Sequence, residues 1–189
     1  MPTLVLVAVS LVRGEILDRI VAVVDDRFII TLSDVRKERA IQSAFGRDAG
    51  SDEAILDALI ERHLVDKEID QFREIDVPED AVADRLRSLV VPQGTSQEDL
   101  RRALVGEYRR NQFMIERFQQ FIRVSEEELR KYYADVYTPE VQRRGEALRP
   151  FEEVAEAIRR NRVLEKMNEE VTTWLGELRR RTLVEKIPQ

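Results

Sequence analysis

The sequence predicts a mainly α-helical domain closed by a small antiparallel sheet that joins the two ends of the chain. Three observations predict it. Apolar residues recur at helical spacing through most of residues 33–181. Strand-like alternation is confined to Ile20–Leu32 near the start and Thr182–Ile187 at the end. Seven Gly and six Pro in 189 residues leave little room for long loops.

The elements follow in order. Ile20–Val24 and Phe28–Leu32 flank an Asp25-Asp26-Arg27 turn, which predicts a hairpin apolar on both faces. Ile20, Ala22 and Val24 fall on one face, Val21 and Val23 on the other. A two-stranded hairpin alone is marginal in water. The alternation of Thr182–Ile187 makes this segment the partner that returns to it and clasps the chain ends together. Ser33 caps a first helix to about Phe45, ended by Gly46 and Gly50. Ser51 caps a second over Asp52–Ile75, with Ile55, Leu56, Leu59, Ile60, His63 and Leu64 on one face. Ile69, Phe72 and Ile75 drift off that face, so the helix touches more than one neighbour.

Pro78 opens a third helix, Glu79–Val91, which stops at Pro92-Gln93-Gly94. Ser96 with Asp99 opens a long fourth helix to Arg123, whose stripe is Leu100, Leu104, Tyr108, Ile115, Phe118 and Ile122. Ser125 with Glu128 is a capping box for a short fifth helix, Glu126–Ala134. Asp135–Pro150, with two Pro, one Gly and no apolar period, reads as a linker. A long last helix over Phe151–Arg181 changes face partway. Val154 and Ile158 come first, then Leu164, Met167, Val171, Trp174, Leu175 and Leu178, which predicts two sets of contacts or a kink near Asn161.

Composition narrows the function. With 43% hydrophobic and 36% charged residues, the chain is too apolar to be disordered and too charged to be a membrane-embedded protein. A net charge of −6 argues against a general nucleic-acid binder. The Arg143-Arg144, Arg159-Arg160 and Arg179-Arg180-Arg181 clusters each have Glu residues close by and read as solvated helix faces. There is no cysteine, which removes zinc fingers, disulfides and thiol catalysis. No glycine-rich loop precedes a Gly-Lys pair, so a P-loop is excluded. His63 is the sole histidine and lies on an apolar stripe, the position of a boundary residue rather than a catalyst or metal ligand. Glu126-Glu127-Glu128 and Glu152-Glu153 sit in first helical turns, where dipole and capping chemistry account for them. No cofactor, metal site or catalytic set is expected.

Leu4–Val12 is a nine-residue apolar run, too short to span a bilayer but the length of a signal-peptide core. Residues 1–14 then read as an export leader, with Val12 and Gly14 before the cleavage point and Glu15 as the mature start. No Lys or Arg precedes Arg13, which implies either a true start that lies upstream or, as the other reading, a strand-like tail of a cytosolic protein.

"LDRIVAVVDDRFIITLSDV", Leu17–Val35, resembles the opening of SurA-type periplasmic chaperones, in which such a hairpin feeds the first helix. Ala54–Leu86 is similar to that family's second and third helices. Phe151–Ile187, with its Trp-Leu and Leu-Arg pairs before a terminal strand, resembles the segment that follows the family's isomerase domain. The resemblance implies one core made from residues 15–134 and 151–189, with the last strand rejoining the first. It departs from the family at Asp135–Pro150, where a parvulin-type prolyl isomerase domain is usual and only sixteen residues stand. It therefore implies the chaperone core without the isomerase: an ATP-independent periplasmic holdase that binds unfolded outer-membrane β-barrel polypeptides, not an enzyme.

Holding an unfolded client needs apolar or aromatic surface off the core stripes. Phe113 and Val105 are such residues on the fourth helix, and Tyr132, Tyr133 and Tyr137 bracket the start of the linker. Trp174 belongs to the core stripe. Two other classes stay open: a helical scaffold with one fixed partner, and a membrane-tethered PpiD-like factor if Leu4–Val12 is part of a longer anchor. No nucleic-acid or small-molecule partner is expected, and membrane contact is peripheral at most.

Overall fold

Asp25 and Asp26 both take positive φ, 51° and 57°. Two successive left-handed residues are what a tight type I′ turn requires, and Asp tolerates that region better than most residues with a side chain. The computed structural model, which describes residues 18–72 and 74–188, shows this turn joining β1 (Ile20–Val24) to β2 (Phe28–Thr31). The readings made on residues 1–14 lie outside the described residues.

The chain is mainly α-helical with one small antiparallel sheet. β3 (Val184–Lys186) pairs with β1 on the side away from β2, so the strand order is β2-β1-β3. The Asp25 N–H donates to the Leu183 carbonyl at 2.9 Å, and the Ile187 N–H donates to the Val21 carbonyl at 2.9 Å. The N-terminal hairpin and the C-terminal strand are therefore hydrogen-bonded to each other, as the alternation at 182–187 predicts. Val21, Ala22 and Val24 are all buried, and the β1–β2 register shifts between Ile20 and Ala22.

The helices are α1 (Leu32–Ala44), α2 (Asp52–Ile69), α3 (Glu79–Arg87), α4 (Gln97–Phe118), α5 (Glu126–Tyr132), α6 (Thr138–Arg144) and α7 (Phe151–Arg180). Thr31, not Ser33, caps α1. Its hydroxyl accepts from the Asp34 N–H, and the Asp34 carboxylate accepts from the Thr31 N–H at 2.8 Å. α2 ends at Ile69, six residues short of the predicted end, yet Ile75 is still buried. Six residues turn a helix by about 240° beyond one full rotation. Ile69 and Ile75 cannot share a helical face, and breaking the helix buries both. α3 stops at Arg87 rather than Val91. Pro92 pushes Val91 out of the helical region, and Val90 and Val91 are left exposed.

The segment 135–150, expected as a linker, is helical as far as Arg144. α5 runs into one π turn, Tyr133–Tyr137, whose widened bonding is seen where the Thr138 N–H donates to the Tyr133 carbonyl. Pro139 explains it: proline lacks an N–H and its ring clashes with the carbonyl four residues back in a regular α-helix. α6 ends on Gly145 at φ 68°, where the Glu146 N–H reaches back to the Val141 carbonyl at 3.1 Å. Within 135–150, irregular backbone is confined to residues 145–150.

α7 is continuous over 30 residues, about 45 Å, and serves two cores. Trp174 and Leu178 join the main core with β1, β2, α1, α2 and Phe113 of α4. Phe151, Val154 and Ile158 form a second core with Leu129 of α5 and the tyrosines of the π turn. The change of stripe along α7 thus reflects two sets of contacts. Acidic α2 is also stitched to the C-terminal end: Asp57 pairs with Arg179 and Lys186, both at 2.9 Å, and Glu68 pairs with Arg181 at 2.7 Å.

Candidate functional site

The four aromatic rings at the C-terminal end of α4 form a column from core to surface. Phe113, only 1% exposed, meets Trp174 at a centroid distance of 5.8 Å and the edge of Phe72 at 5.2 Å. Phe118 meets the same Trp174 ring at 5.6 Å. The Arg117 guanidinium lies over Phe113, Phe118 and Trp174, at 5.0 Å from the last. Such contacts hold the rings in one arrangement, so the surface above them rests on a rigid base.

That surface is apolar and open. Phe72 is 43% exposed, Ile115 42% and Phe121 74%. Phe72 and Phe121, with Phe118 and Ile122, wall a groove of about 530 Å³ whose rim carries Glu116, Arg117, Gln120 and Glu170, and Phe72 and Ile115 line a second hollow beside it. α4 ends at Phe118 in a single 3₁₀ turn, Gln119–Phe121, on which Phe121 stands exposed. A regular helix to Arg123, as predicted, would continue the stripe instead.

The structure separates the residues singled out from sequence. Phe113 is a correction: it is core, not surface. α4 buries Leu100 and Phe113, thirteen residues apart, which turns a helix about 220° past three full rotations. The two halves of α4 therefore face different neighbours, and a single stripe drawn along it misplaces both ends. Tyr108 and Ile115, assigned to the core stripe, are exposed.

Val105 is half-buried and lines a charged cavity between α1, α2 and α4, away from the groove. Tyr132, Tyr133 and Tyr137 are half-buried against the second core. Tyr133 stacks on Tyr137 at 5.4 Å and meets Phe151 edge-on at 5.6 Å, and its hydroxyl donates to the Arg149 carbonyl at 2.7 Å. Burial and the nearby Glu165 carboxylate push the Tyr132 hydroxyl above its ordinary value. These three rings hold the π turn against α7 and do not meet the groove. Sequence reasoning missed Phe72 and Phe121 as surface residues. The available signal was the density of Phe118, Phe121 and Ile122 within five residues, beyond the last core position.

His63 stacks flat on Phe28, 3.7 Å between centroids and 2° between planes. Burial, and then repulsion from Lys67, holds its pKa below the ordinary histidine value, against the opposing pull of Asp25 and Asp66. The neutral ring is therefore the form that the fold prefers. Between the unfolded value near 6.5 and the lower folded one, the unfolded chain binds more protons. Stability from this group is complete above that window and is lost as pH falls through it. Replacing His63 with Phe should flatten the stability–pH profile just below pH 6.5, measured by urea unfolding. An unchanged slope would place the titration elsewhere.

Among the described residues, no group of His, Cys, Asp or Glu is placed to hold a metal ion, and no helix is long and apolar enough to cross a membrane. No family model, curated protein or solved structure matches this chain. The reading of the site rests on its own chemistry: an apolar, aromatic-floored groove with a polar rim.

Proposed function

We propose that this chain is an ATP-independent, non-enzymatic holdase that receives unfolded outer-membrane β-barrel polypeptides in the periplasm and aids their folding. One observation carries the reading. The groove between the ends of α2 and α4 keeps Phe72 and Phe121 in water, with Ile115 exposed beside it, where a folded chain with no partner gains nothing from them. Two features support it. The resemblance at Leu17–Val35 and Phe151–Ile187 points to the chaperone core, and the sheet joins the chain ends as that resemblance implies. An open groove with a polar rim suits a client that must be released, because a rim limits the apolar area buried. Further apolar residues lie exposed at separate places, among them Ile29, Leu183 and the Val90-Val91 loop, a distribution that favours varied clients over one fixed partner.

The test is suppression of aggregation of an urea-unfolded outer-membrane β-barrel protein, without nucleotide, followed by its release to detergent. Phe121→Ser should weaken client binding by about 1–2 kcal/mol, five- to thirtyfold, while leaving the melting midpoint in place. Purification with one stoichiometric partner and no holding of unfolded client would instead establish the scaffold reading.

A further inference from the structure

The N-terminal half of α4 is attached to the rest of the molecule differently from its C-terminal half. The main core takes Phe113, Met114 and Phe118 from α4 and nothing upstream of them. Upstream, α4 buries Leu100 and makes ion pairs to α1, α2 and the residues that follow each: Lys37 with Asp99 at 3.3 Å, Arg47 with Glu107 at 2.6 Å, Asp66 with Arg110 at 3.0 Å, and Asp70 with Arg109 at 3.3 Å. Beneath them Glu38, buried, takes both arms of Arg62 at 2.7 and 2.5 Å. Two open cavities, of about 430 and 550 Å³, flank this seam where close-packed side chains would otherwise stand. Both are lined by Ile41 and Ala103, one also by Val65 and the other by Leu59 and Val105. A Cβ on Gly106 would come within 2.9 Å of the Arg110 guanidinium, so glycine there leaves room for Arg110 to lie along the helix toward Asp66.

We infer that α3 and the N-terminal half of α4 form an electrostatically latched arm, which swings from α1 and α2 while the aromatic anchor at Phe113 and Trp174 stays closed. The physics is a contrast between two attachments. Half-exposed ion pairs weaken as salt shortens the screening length from about 10 Å at 0.1 M to about 3 Å at 1 M, whereas apolar contacts do not. Opening joins the two cavities, both lined by Ile41 and Ala103, into one cleft. That this cleft then offers a second face to an unfolded client rests on the holdase reading; the opening itself does not.

Amide hydrogen exchange on the full chain, without client, tests the opening. Raising NaCl from about 0.05 to about 1 M should speed exchange at residues 97–110 at least tenfold, with residues 55–64 and 171–178 unchanged. Fluorescence from Trp174, the single tryptophan, should hold its wavelength. Arg47→Glu should reproduce the faster exchange at low salt, and adding Glu107→Arg should reverse it. Should the single variant fail to fold, the salt series on the unaltered chain decides alone. Equal acceleration in 97–110 and 55–64, a shift of Trp174 emission in step with salt, or no reversal by the charge swap would overturn the latch. Failure of client binding with the exchange pattern intact would count against the holdase reading and leave the arm standing.

Discussion

Phe113→Ala should destabilise the whole domain by about 3–5 kcal/mol, the cost of a large cavity in a close-packed core. For a chain of this size that is about 6–20 °C in melting midpoint. Phe113 is 1% exposed and touches Trp174 and Phe72, with Arg117 packed over its ring. Truncation removes all of these contacts at once and leaves the guanidinium above a void. Phe121→Ser, eight positions on and 74% exposed, should move the midpoint by less than about 0.5 kcal/mol. The two phenylalanines thus separate stability from binding. A thermally silent Phe113→Ala would mean that the aromatic column is not the anchor described above.

Ending the chain after Thr182 should cost about 3 kcal/mol or more and lower the melting midpoint by about 6 °C or more. The loss has several sources. β3 pairs with β1, the flanking Leu183 and Ile187 bond to Asp25 and Val21, and Lys186 supplies the ion pair to Asp57. Without β3 the central strand of the sheet becomes an edge, and Val21, Ala22 and Val24 lose their cover on one side. The expected signature in urea is a transition at lower denaturant for the whole domain, read equally by circular dichroism and by Trp174. A change restricted to fraying of the last turn of α7, with the main transition in place, would count against the clasp.

Much of the fold was legible because its signals are local. Ser51, Ser96 and Ser125 each cap the helix that they announce, since a hydroxyl beside the first turn accepts a hydrogen bond whatever the rest of the chain does. The closing strand was legible from the alternation of 182–187 and the need of an apolar hairpin for a partner. The π turn was not. Asp135–Pro150 carries loop-like residues, yet Val141 is buried and the tyrosines before it lean on Phe151, so packing outweighs a weak helical propensity.

The site was less legible than the fold, and α4 shows why. A stripe drawn from Leu100 along a single face assumes one neighbour, but this helix has a charged seam at one end and an aromatic core at the other. Residue types alone determined that the chain is helical, acidic, free of cysteine and clasped at its ends, because those properties follow from propensity, charge and periodicity. Only the tertiary structure decided that Phe113 lies inside while Phe72, Ile115 and Phe121 face water. Which of two neighbouring apolar residues is buried depends on where other helices stand, and that is set by contacts between Phe113 and Trp174, sixty-one residues apart.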